Sequence, residues 1–147
     1  LFEYEAMLAV SNRHALSQKT VINPLDLADQ TLITYPVDRD RLDIFTQFLD
    51  PAGVDPAEIR NAELTPMMVQ LVASGRGVTC LPNWALTEYL ANELLTAKRL
   101  SENGLWGRLY AAVRREQLED PFMQEFLSTA ISTCFNHLAG IKRIEGP

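Results

Sequence analysis

The sequence predicts an α/β fold, with a mainly parallel sheet covered by helices on both faces. Three observations carry this reading. Short strand-like runs alternate with helix-like runs, the order that winds a parallel sheet between layers of helix. Proline or glycine punctuates most changes of pattern, as in TLITYP, ASGRGVTCLP and EDPF. Apolar residues make up 47% of the 147 positions, enough to bury a core in a chain of this length.

Leu1 to Ser11 reads as a mostly buried strand: Phe2, Tyr4, Ala6, Leu8 and Val10 share one face, and Leu1, Met7 and Ala9 add apolar weight to the other. NRHAL follows as a polar turn. INPLDLADQ begins a short helix, with Asn23 as cap, Pro24 at the first helical position and Asp26 at the positive helix end. TLITYP is a short strand stopped by Pro36. From Asp38 to Asp50 the period is helical, and Leu42, Ile44, Phe45, Phe48 and Leu49 cover an apolar arc of roughly 160°. Such an arc suits either a deeply buried helix or one that packs on its own sheet along one edge and meets a partner subunit along the other. PAGVDP is a loop and AEIRNA a short strand; Thr65 then caps a helix that Gly75 and Gly77 end. VTCL is a strand, Pro82 and Asn83 start a helix to about Ala91, and LLTAKRL and LWGRLYAAVRR read as strands. Asp120 and Pro121 open a final helix to about Leu138.

A net charge of −6, with acidic and basic residues interspersed, excludes a general grip on phosphate, so this segment is not expected to bind DNA by itself. No apolar run approaches the roughly 20 residues that cross a bilayer. Leu1 stands inside a strand and is not Met, so the reading expects a longer polypeptide upstream. Cys80 and Cys134 form no metal or redox motif and read as buried thiols.

Catalytic machinery is missing: ASGRG is no nucleophile elbow, and neither a P-loop nor a dinucleotide fingerprint can be read. His14 and His137 read as structural or solvated, and Asp38, Asp40 and Asp43 as solvated charge beside Arg39 and Arg41. No catalytic residue, cofactor or metal is assigned. What remains is a binding site. In alternating α/β sheets ligands sit beyond the carboxyl ends of strands, where the next helix offers unpaired N–H groups. The turn at Glu63, Leu64 and Thr65 is such a place, and it suits a small carboxylate. Tyr35 and Pro36, with Arg39 just beyond, and Pro82 with Trp84 close two neighbouring strands and would border the same crevice. Each of these also has a plainer role, Thr65 as a cap only and Tyr35 and Trp84 as core residues.

LFEYEAMLAVSNRHAL resembles the crossover strand and polar turn of the effector-binding domain of LysR-type transcriptional regulators. INPLDLADQTLITY is similar to that family's short helix and strand, and MMVQLVASGRGVTCLP to its helix, glycine break and strand ending in proline. LITYPVDRDRLDIFTQFLDPAGVDP, CLPNW and LWGRLYAAVR resemble its methionine-biosynthesis branch. The resemblance implies a periplasmic-binding-protein-like fold: residues 1–5 a crossover strand from a first subdomain, 6–100 a second subdomain, 101–147 a return strand and C-terminal helix of the first. It further implies a cytoplasmic regulator with homocysteine as effector, DNA bound through a winged helix-turn-helix outside this sequence, and homo-oligomers paired through the helix that carries Ile44, Phe45, Phe48 and Leu49. Thr65 matches the family's cleft-lining hydroxyl position. A solute-binding protein of a transporter would share the fold and is the alternative.

Overall fold

A computed structural model describes residues 1–144. Its strands are β1 (Phe2–Val10), β2 (Val21–Ile22), β3 (Thr31–Thr34), β4 (Glu58–Asn61), β5 (Val78–Pro82), β6 (Thr96–Leu100) and β7 (Leu105–Leu109), and its helices α1 (Thr65–Ala73), α2 (Asn83–Ala91) and α3 (Pro121–His137). The strands form one sheet in the order β2-β6-β1-β5-β3-β4, with β7 also on β1. The α/β class is as expected. The sheet is mixed, however: β3 runs parallel to β4 and β5, and β2 to β6, whereas β1 is antiparallel to β5, β6 and β7.

β1 changes partners along its length. Phe2–Ala6 pairs with β7, while Ala6–Ala9 pairs with β5 and Met7–Val10 with β6 on the opposite edge. Its alternating side chains divide the core in two. Leu8 and Val10 join Leu32, Val78, Leu100 and the apolar residues of segment 44–49 on one face; Ala9 joins Ile33, Leu81 and residues of α1 and α2, including Met68, Val69, Val72 and Leu86, on the other. Each buried Leu, Ile or Phe removed from water contributes roughly 1.5–3 kcal/mol, so both faces hold the sheet in place.

The expected Asp38–Asp50 helix is broken and unevenly wound: a 3-10 turn at Arg39–Arg41, then, past the extended Leu42, a π-wound turn at Ile44–Leu49 that runs directly into a 3-10 turn at Asp50–Ala52. The wider π winding aligns residues four and five apart, which lets Ile44, Phe45, Phe48 and Leu49 all face inward. All four are buried in this chain's own core, at 4%, 1%, 6% and 0% exposure, so the stripe is internal packing and offers no free surface.

β7 stops at Leu109, short of the expected Arg115, because Phe2 is the last residue of β1 to pair with it. NRHAL leads into a 3-10 turn at Ala15–Gln18, where the Leu16 N–H donates to His14 Nδ1 at 3.1 Å. INPLDL forms a 3-10 turn at Pro24–Leu27, and the Asn23 N–H donates to the Asp26 carboxylate at 2.9 Å. Gly77 lets the chain pass close to β3, since a Cβ there would meet the Thr31 carbonyl oxygen at 2.6 Å. α2 and α3 form where their proline-led starts predict.

Candidate functional site

Parallel pairing brings the carboxyl ends of β3, β4 and β5 to one side of the sheet. The Ala62 N–H donates to the Thr34 carbonyl at 2.9 Å, and the Thr34 hydroxyl donates to Asn61 Oδ1 at 3.2 Å, so the ends of β3 and β4 are tied together. Tyr35 and Pro36 therefore emerge beside the turn that opens α1.

The geometry of that turn corrects one expectation. Leu64, with φ −117 and ψ 129, occupies the cap position, and Thr65 is already the first helical residue. Its hydroxyl does not cap the helix. Thr65 Oγ1 instead lies 2.5 Å from the Tyr35 phenol oxygen. Leu64 has no polar side chain and Pro66 no N–H, so the amides of Thr65 and Met67 have no hydrogen-bond partner among the described residues. The mouth of α1 is open: Leu64 is 65% and Met67 54% exposed. A cavity of about 330 Å³ lies there, lined by Pro36, Asn61, Ala62, Glu63, Leu64 and Met67.

A second cavity, of about 180 Å³, lies under the end of β5. Tyr35 and Pro82 line it together with Tyr4, Arg41, Asp43 and Cys80. Burial first, and then the Asp43 carboxylate, push the Cys80 thiol up to about 12, which keeps it protonated. Burial, the Asp43 charge and Cys80 raise the Tyr4 phenol above its ordinary value in the same way. The cavity thus sets the neutral Tyr4 phenol, the neutral Cys80 thiol and the Arg41 guanidinium around one carboxylate.

Sequence reasoning placed Tyr35, Pro36, Leu64, Thr65 and Pro82 on one crevice; the fold puts Pro36 and Leu64 on the first cavity and Tyr35 and Pro82 on the second, with Thr65 lining neither but hydrogen-bonded to Tyr35. Arg39 and Trp84 line neither. The Arg39 guanidinium is held by Asp50, at 2.5 Å, and Asp55, at 2.7 Å, and stacks 4.2 Å from the centre of the Phe45 ring. Hydrogen bonding to Asp50 first, with that to Asp55 and the charges of both carboxylates, raises its already high pKa. Trp84 sits in the first turn of α2, its buried indole Nε1 without a partner among the described residues. Tyr4, Arg41, Asp43 and Cys80, which line the second cavity, were not singled out as site candidates by the sequence. Alternation along the first strand does put Tyr4 beside Ala6, but nothing local marks Asp43 as different from the solvated acids near it.

Comparison with known proteins places this chain in a family. The model for the LysR substrate binding domain matches residues 1–134. The chain is 40% identical over 147 residues to the HTH-type transcriptional regulator MetR of Escherichia coli (strain K12), covering all of this chain and 46% of the relative. It is 38% identical over 141 residues to MetR of Haemophilus influenzae, covering 96% of this chain and 45% of that protein. The chain therefore spans about half the length of the curated relatives it matches. Among solved structures, the regulatory domain of MetR, a LysR family regulator from N. meningitidis, superposes with a TM-score of 0.92 at 34% identity, over 99% of this chain and 67% of that one. The effector-binding domain of QuiR in complex with shikimate shares the fold, with a TM-score of 0.65 at 19% identity over 94% of this chain and 65% of that one. These relatives are named as transcriptional regulators, and none as an enzyme. The chain belongs to the LysR substrate-binding domain family.

Proposed function

We propose that the chain is the effector-sensing part of a longer cytoplasmic regulator of methionine biosynthesis, that it binds homocysteine, and that it passes the signal to a winged helix-turn-helix domain elsewhere in the polypeptide. The observation that carries this reading is the open mouth of α1 beside the Tyr35–Thr65 pair, at the joined ends of β3, β4 and β5. When the Tyr35 phenol is the donor of its pair with Thr65, the threonine hydroxyl proton is free to meet a carboxylate, as are the amides of Thr65 and Met67. Residues 6–100 act as one lobe of the cleft, with residues 1–5 and 101–147 belonging to the other. Effector held between the lobes favours one relative angle and so shifts the population of DNA-binding geometries.

The regulator works as a homo-oligomer. Because Ile44, Phe45, Phe48 and Leu49 are buried in the chain itself, pairing at that segment uses its exposed Thr46 and Gln47. None of the described helices is long and apolar enough to cross a membrane.

Calorimetric titration of the intact regulator with homocysteine tests the reading. Saturable binding is expected, weakened about tenfold by Thr65→Val, a loss of roughly 1.4 kcal/mol in line with one hydrogen bond to a charged group. Equal affinity in the two proteins removes Thr65 from the site, and absence of binding rejects homocysteine.

A further inference from the structure

The chain passes between the two lobes proposed above at two places, within β1 at residues 5–6 and just after β6 at residues 100–101. These crossings lie side by side, because Arg99 of β6 stands opposite Met7 and Leu105 of β7 opposite Ala6. Glu5 ties them to each other: it is 7% exposed, and its carboxylate accepts two hydrogen bonds from the Arg99 guanidinium, at 2.7 and 3.1 Å. Gly104, in the turn between β6 and β7, makes room for that pair, since a Cβ there would meet Glu5 Oε1 at 2.6 Å. Two neighbouring attachments define an axis and leave rotation about it free. A third attachment, off that line, restrains the rotation.

Residues 140–142 supply one. The Gly140 carbonyl accepts a hydrogen bond at 2.8 Å from Nδ2 of Asn83, in the first turn of α2. Two residues on, Lys142 and Glu3 exchange both backbone hydrogen bonds, each 2.9 Å, and the Lys142 ammonium lies 3.5 Å from the centre of the Trp106 ring of β7. The segment therefore runs from α2, in one lobe, to β1 and β7, in the other. It does so off the axis: α2 packs on the face of the sheet that carries Met7 and Ala9, where Glu3 and Glu5 also stand by alternation. Only glycine suits position 140, where φ is +74 and a Cβ would lie 2.5 Å from Asn83 Nδ2. Asn83 is aimed by its other end, because Oδ1 accepts the Trp84 N–H at 2.9 Å and so turns Nδ2 toward Gly140. We infer that residues 140–142 are a strap across the hinge, with the Asn83 amide as its release point, favouring the angle at which α2 meets β1 and β7 in this structure. A single exposed hydrogen bond is weak, so the strap biases the angle without locking it, as a hinge that moves for an effector requires. The inference rests on the two-lobe reading above and adds to it the contact that sets the resting angle.

The test is the distance between spin labels on Thr20→Cys and Ser128→Cys, one exposed position in each lobe, in the intact regulator with its other cysteines replaced by serine and labelled subunits diluted with unlabelled ones. Asn83→Asp keeps the acceptor for the Trp84 N–H but can no longer donate to Gly140. Gly140→Ala forces the same two groups apart from the other side. Without ligand, both are expected to broaden the distance distribution about twofold relative to the parent protein. Exchange protection of the Leu8 and Ala9 amides is expected to stay the same, and broadening that comes with its loss is a loosened fold and counts against the strap. Homocysteine added to the parent is expected to shift the mean distance. An unchanged width in Asn83→Asp, with a homocysteine shift in the parent, overturns the strap and leaves the effector reading standing. An unchanged width with no shift overturns both. Broadening in Asn83→Asp with no homocysteine shift keeps the strap and rejects homocysteine as effector.

Discussion

Cys80 and Tyr35 show how a single position sets the character of the site. Cys80, midway along β5, shares a cavity with Asp43 and is held protonated, with its ordinary value of 9.0 moved to about 12. Between those two values the unfolded thiol has released its proton while the folded one keeps it. The unfolded state then binds fewer protons, and stability falls as pH rises through that window. Below 9.0 both states are protonated and the contribution is complete. Chemical denaturation at about pH 8 and about pH 10 should show a loss of about 1.4 kcal/mol from this group, the equivalent of one pH unit. Cys80→Ser should flatten that slope, while an unchanged slope would mean that the thiol is solvated. The Tyr35 phenol contributes differently: as partner to Thr65 it fixes the orientation of a hydroxyl that the sequence assigned to capping.

Among the elements, the segment Arg39–Ala52 departs furthest from a simple reading. A regular α-helix through Asp38–Asp50 would sweep its five apolar residues across an arc too broad for one contact. Breaking at Leu42 and winding Ile44–Leu49 as a π turn gathers four of them into one core. Phe45 has almost no exposure within it, and Phe45→Ala should cost about 3–5 kcal/mol, read as a lowered denaturation midpoint at unchanged slope. A cost below about 1 kcal/mol would show that the ring is peripheral. The sequence made the strands and proline-led helices legible because their signals are local: alternation in β1, and Pro66, Pro82 and Pro121 at the starts of α1, α2 and α3. It did not disclose the π turn, since helical period alone cannot tell four residues per contact from three and a half. Nor could it reveal the carboxylate of Asp43, whose setting depends on Tyr4 and Cys80 from β1 and β5, both distant in the chain. Tyr35 and Thr65 were readable as neighbours because each follows the end of a parallel strand.

For the whole molecule, β1 decides which parts hold firm. Met7, Leu8 and Ala9 have strand neighbours on both edges, whereas Phe2, Glu3, Tyr4 and Glu5 pair with β7, and Glu3 alone adds a bridge to Lys142. Native-state hydrogen exchange should therefore find the amides of Leu8 and Ala9 the more protected, and those of Phe2 and Tyr4 the less. Uniform protection along β1 would mean that the whole strand opens as one unit. α3 presents Phe122 and Phe126 at 62% and 63% exposure, a face that the described residues leave uncovered. The change of partners at Ala6 has a mechanical consequence. One unbroken ribbon is laced to different neighbours fore and aft of a single small residue, and that residue is itself held on both edges, by Pro82 and by Leu105, so the two lengths are fastened to each other through one pinned joint.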